Sequence, residues 1–78
     1  MNKGNFKDAI KCFEQILKID PRNSTSLSYI GNCLHKSNSI TEAIDYYRKA
    51  LAIDPTLTDT YQALGQALIE LGHLNEAE

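Results

Sequence analysis

The chain repeats itself every 34 residues, and that one regularity limits what it can fold into. The segment AIKCFEQILKIDP, ending at Pro21, returns as AIDYYRKALAIDP, ending at Pro55. In the same register Leu17 matches Leu51, Ile19 matches Ile53, Asp20 matches Asp54 and Gly31 matches Gly65. Three trios extend the match along the chain: Ala9, Ala43 and Ala77; Phe6, Ile40 and Leu74; Gly4, Asn38 and Gly72. A fixed period of this size marks a solenoid, in which each unit is too small to bury its own apolar face. Stacked neighbours then make the continuous core.

Within each period the apolar spacing is helical. Phe6, Ala9, Ile10, Phe13, Ile16 and Leu17 recur at steps of three and four, and Ile40, Ala43, Ile44, Tyr47, Ala50 and Leu51 trace the same stripe one period later. A second kind of helix carries Leu27, Ile30, Gly31 and Leu34, repeated as Tyr61, Leu64, Gly65 and Leu68. No stretch alternates with period two, so strands are not expected. Ser39-Ile-Thr-Glu42 reads as a capping box, and Asn5-Phe-Lys-Asp8 as a weaker relative of it. Gly4, Asn38 and Gly72 precede those starts, which predicts a positive-φ turn at all three places. Asp-Pro closes each helix of the first kind, because proline disfavours helical geometry in the residue before it and donates no amide. Glycine inside a helix costs about 0.8–1.0 kcal/mol relative to alanine. Gly31 and Gly65 therefore predict a close helix–helix approach, with Ala43 and Ala77 as the facing small residues.

These residues resemble the tetratricopeptide repeat family. Its motif has a small residue in the first helix, two small residues with a large one between them in the second, and a closing proline. Gly31, Ala43, Tyr47, Ala50 and Pro55 fill those places, with Ala9, Pro21, Gly65 and Ala77 as the matching positions of the neighbouring units. The resemblance implies an all-α fold, with antiparallel helix-turn-helix repeats of 34 residues stacked as a right-handed α solenoid. In that register residues 1–23 are the second half of one repeat and 24–57 a complete repeat. Residues 58–78 then hold the first helix and the start of the second helix of a third, as in a piece of a longer array. Leu27 and Tyr61 stand where the family usually has tryptophan. Ile16 replaces the small residue that Ala50 supplies, so looser packing is expected there.

Composition excludes several function classes. A net charge of −2 and dispersed Lys and Arg give no electrostatic reason to expect nucleic acid or an anionic membrane. Two isolated cysteines, Cys12 and Cys33, are few for a disulfide scaffold and fit reduced thiols in an intracellular, cytoplasmic setting. Asn23-Ser-Thr25 matches a glycosylation sequon, but no secretory signal accompanies it. His35 and Cys33 lie two residues apart and point away from one another on a helix, so no metal or other cofactor is expected. Neither cysteine has an evident base, and the carboxylates are interleaved with Lys7, Lys11, Arg48 and Lys49 as on a solvated face. Catalysis is not expected.

Binding to a protein or peptide remains. In the family the first helices line a concave groove that holds extended peptides. Helical position assigns that face to Ser28, Tyr29, Asn32 and Lys36, then Gln62, Ala63, Gln66 and Ile69. Asn32, Gln62 and Gln66 each offer donor and acceptor to a peptide backbone, and Tyr29 adds apolar area with a polar tip. The bland alternative is that these residues are simply the wet side of amphipathic helices. The family's carboxylate clamp is not matched, because Ser28, Asp59 and Ala63 stand at clamp positions. Its asparagine ladder fails at Tyr29 and Ala63. The expectation is thus an interaction scaffold. The alternative is a non-catalytic, substrate-presenting arm of a larger enzyme such as a glycosyltransferase. Open apolar faces at the first and last helices also predict head-to-tail self-association.

Overall fold

The computed structural model describes residues 5–76, with side chains placed for residues 6–72. Four helices follow in order: α1 (Asn5–Ile19), α2 (Ser24–Lys36), α3 (Ile40–Ile53) and α4 (Thr58–Glu76), and the described residues contain no strand. Each helix packs on its neighbours in sequence, α2 also touches α4, and α1 reaches neither α3 nor α4 among the described residues. That nearest-neighbour layout is the all-α repeat solenoid implied by the period.

The two Ile-Asp-Pro copies make the same turn. Asp20 N–H donates to Ile16 O at 2.8 Å and Asp54 N–H to Ala50 O at 2.9 Å, finishing α1 and α3. Each aspartate then accepts the amide two residues on, from Arg22 at 3.3 Å and from Thr56 at 3.1 Å. This side-chain turn uses the bend that proline presets. The threonine bonds also hold the Asp54 carboxyl below the usual carboxylate range. Asn23 opens α2, its side chain accepting Ser26 N–H at 2.9 Å. The repeat pattern gave no sign of that cap.

The turn from α2 to α3 bears out the reading of Asn38, whose φ is 70°. Asn38 N–H donates to His35 O and Ser39 N–H to Leu34 O, at 3.0 and 2.8 Å, the two bonds of a Schellman closure. That closure also overturns the capping box at Ser39. Glu42 would need the Ser39 amide, which is already given to Leu34, and the Ser39 side chain makes no cap bond. A second correction concerns Gly72, which does not take positive φ; α4 runs through it to Glu76. Continued helical bonding outweighs the cost of one helical glycine, about 1 kcal/mol. The expectations for Gly4, the Asn5 cap, His73, Leu74 and Ala77 fall outside the described side chains.

The core sits on α3. Ile40, Ala43, Ile44 and Tyr47 cluster with Ala67 of α4, and Leu34, Ala63, Leu64 and Leu71 pack around them. Ile30, Ala43, Tyr47 and Ala50 are fully buried, and a side chain the size of Ile30 is worth about 1.5–3 kcal/mol on such burial. Phe6, Ile10 and Phe13 of α1 are only half-buried. Ile16 is 39% exposed where its register partner Ala50 is 0%, which is the looser contact expected of the larger residue.

The two matched glycines differ. A Cβ on Gly31 would lie 2.6 Å from Tyr47 Cε1 and 3.3 Å from the Ala43 carbonyl oxygen. The close approach is real, but the facing group is chiefly the Tyr47 ring rather than the Ala43 side chain. At Gly65 a Cβ would meet nothing within 4 Å, so the approach expected there is not made among the described residues.

Candidate partner-binding groove

A groove of ≈ 380 Å³ runs between the first turns of α2 and the α3–α4 connection. Thr25, Ser28, Tyr29 and Asn32 line one side, and the run Thr56-Leu-Thr-Asp-Thr60 lines the other. Helical spacing of three and four brings Thr25, Ser28 and Asn32 onto one face of α2. The 34-residue period sets α4 beside α2, so its first turn becomes the opposite wall. Ser28 Oγ and Thr60 Oγ1 share a hydrogen bond of 2.7 Å across the two helices. Asp59 is the one charged residue in the lining.

Two anchors stiffen the α2 wall. Tyr29 stacks on Phe13 of α1 with ring centroids 5.1 Å apart, yet stays 49% exposed. Asn32 accepts a 2.8 Å hydrogen bond from the hydroxyl of Tyr47, whose fully buried ring stands edge-on to His35. Burial, with smaller contributions from Cys33 and Glu70, pushes the Tyr47 hydroxyl up to about 12. It therefore remains a donor throughout the ordinary pH range. Further along, His35 Nε2–H donates to Glu70 Oε1 at 2.7 Å, a second tie between α2 and α4. Gln66 donates to the other Glu70 oxygen at 3.2 Å.

Of the eight residues assigned to the partner-binding face, Ser28, Tyr29 and Asn32 come together in this groove. Lys36, Gln62, Gln66 and Ile69 are exposed but lie outside its lining, with Ile69 at 60%. Ala63 is a correction: it packs against the core. Its register partner is Tyr29, and both turn toward the preceding helix, Tyr29 onto α1 and Ala63 onto α3. The groove also recruits Thr25 and the Thr56–Thr60 run, which the helical-face reading passed over. The signal was present as TLTDT, four hydroxyl or carboxyl side chains within five residues directly after Asp-Pro. Among the described residues no group of three or more His, Cys, Asp or Glu could hold a metal ion. No described helix is long and apolar enough to cross a membrane.

The family model of anaphase-promoting complex, cyclosome, subunit 3 matches residues 2–78. The chain belongs to this tetratricopeptide repeat family. A peroxisomal targeting signal receptor of Candida albicans is 36% identical over 92% of the chain, which covers 12% of that receptor. A probable UDP-N-acetylglucosamine–peptide N-acetylglucosaminyltransferase SPINDLY of Hordeum vulgare is 30% identical over 85% of the chain and 7% of the enzyme. A TPR repeat-containing protein of Methanocaldococcus jannaschii is 39% identical over 73% of the chain and 10% of its own length. The chain thus spans about a tenth of the curated relatives it matches. A tetratricopeptide segment is an interaction domain and generally non-catalytic, and the relatives set it in proteins of quite different activity.

Proposed function

We propose that this tetratricopeptide segment binds an extended peptide or a partner protein in the groove between α2 and the start of α4, with 24–57 as its complete repeat. The observation that carries the reading is the groove itself. It is mixed in polarity, nearly uncharged, and walled by side chains pinned from behind through Phe13 and Tyr47. Such a surface gives hydrogen bonds and aromatic area to a strand-like ligand at little cost in ordering. The similarity to a targeting-signal receptor supports the same reading. Lys36, Gln62, Gln66 and Ile69 would extend the contact along the exposed helix faces. The test is an array of capped nonapeptides probed with the labelled protein. Asn32→Ala should weaken capture of the selected peptides while leaving the thermal melt within about 1 kcal/mol of wild type. Capture unaffected by that change refutes the groove.

The glycosyltransferase relatives favour a second setting for the same groove, the substrate-presenting arm of a larger enzyme. In that setting the selected peptides would be acceptor substrates of a catalytic domain carried on the same polypeptide, which a transfer assay on the full-length protein decides.

A further inference from the structure

The groove's polarity is set from inside the core. Asn32 has one carbonyl oxygen and one amino group at the end of its side chain, and either can face the ligand. Its oxygen is taken up by the Tyr47 hydroxyl at 2.8 Å. The ring that carries the hydroxyl is fully buried and wedged against Gly31, so it offers no second position from which to bond. Turning the amide over would put two donors face to face, unless the hydroxyl hydrogen swung away from the one acceptor it has among the described residues. We infer that Tyr47 is a positioning residue for the groove: it locks Asn32 with its amino group toward the ligand, so the segment bound there must present a carbonyl oxygen. The inference rests on the groove reading above and adds the chemistry of its contact. Because Tyr47 stays protonated at every ordinary pH, the lock does not release with pH.

The test uses nonapeptides selected on the wild-type array. Asn32→Asp keeps an oxygen for the Tyr47 hydroxyl but replaces the donor with an acceptor, so it separates groove chemistry from folding. Affinity for the selected peptides should fall about tenfold or more, with the melt close to wild type. Tyr47→Phe should weaken the same peptides about threefold, because the amide is then free to rotate. A thioamide scan, with each backbone carbonyl oxygen of the peptide replaced in turn by sulfur, needs no protein variant. It should locate one position costing about fivefold on the wild type and nothing on Asn32→Asp. If no peptide is captured, the groove reading itself fails. If peptides bind and lose affinity in Asn32→Ala, but Asn32→Asp binds as well as wild type or the scan is flat, the groove stands and the amide lock is overturned.

Discussion

Gly31 and Gly65 occupy one register position in successive repeats, and the structure predicts opposite outcomes for the same substitution. Replacing either with alanine inside a helix gains about 0.8–1.0 kcal/mol of propensity. At Gly65 that gain is the expected effect, since the new methyl meets nothing within 4 Å among the described residues. At Gly31 the methyl would sit 2.6 and 2.7 Å from two carbons of the Tyr47 ring. Carbon contacts are normally about 3.5–4.0 Å, so the ring or a helix must shift by about 1 Å. The ring is 0% exposed and tied to Asn32, so it has nowhere to go. Overpacking of this kind costs about 1–3 kcal/mol, and a contact this short belongs in the upper half of that range. Subtracting the propensity gain leaves Gly31→Ala destabilised by about 1–2 kcal/mol. The two variants should therefore differ by about 2–3 kcal/mol, on the order of 10–20 °C in Tm for a chain this size. Far-UV circular dichroism melts of wild type and both variants, run in parallel by heat and by urea, measure it. Adding Tyr47→Leu to Gly31→Ala removes the ring, and should recover part of the loss as a coupling of at least about 0.5 kcal/mol. Gly31→Ala melting at or above wild type, or two variants that melt together, would refute the wedge.

Asn38→Gly should raise the melt slightly and Asn38→Ala lower it by about 1 kcal/mol, because only glycine holds φ 70° without strain. The hydrogen bond from His35, then that from Gln66, holds Glu70 below its usual value of 4.5. A depressed folded-state pKa adds stability that is present above 4.5 and is lost as pH falls through the folded value. Acid titration of the melt should lose that contribution in Glu70→Gln, and an unchanged acid limb would remove the pair from the account. Cys12 is exposed while Cys33 is partly covered, and burial raises the Cys33 thiol. A thiol reagent near neutral pH should therefore label Cys12 first, as read by peptide mass. Tyr61 is 50% exposed, whereas its register partner Leu27 is 7% exposed, and Leu68 nearby is 42% exposed. Head-to-tail self-association is proposed on that open face, and a monomeric mass at high micromolar concentration by light scattering, unchanged in Leu68→Ser, would sink it.

The sequence alone determines whatever depends on spacing along the chain. The period, the four helical stripes, the Asp-Pro stops and the left-handed Asn38 are local or nearest-neighbour properties, and local stereochemistry decides them. Even the looseness at Ile16 followed from comparing it with Ala50. The failures share a different cause. Gly72 copies Asn38 in sequence, yet α4 runs through it without a positive-φ turn. The capping box at Ser39 fails because the Ser39 amide already donates to Leu34 and has nothing left for Glu42. Ala63 went to the core because α3 lies on that side of α4. The groove could not be placed from one helical face, because its second wall is the turn after Pro55, set beside α2 by the stacking of repeats. Repetition dictated the elements and their order. Only packing in three dimensions decided which copies of a residue find a partner, and so which polar groups remain free to meet another molecule.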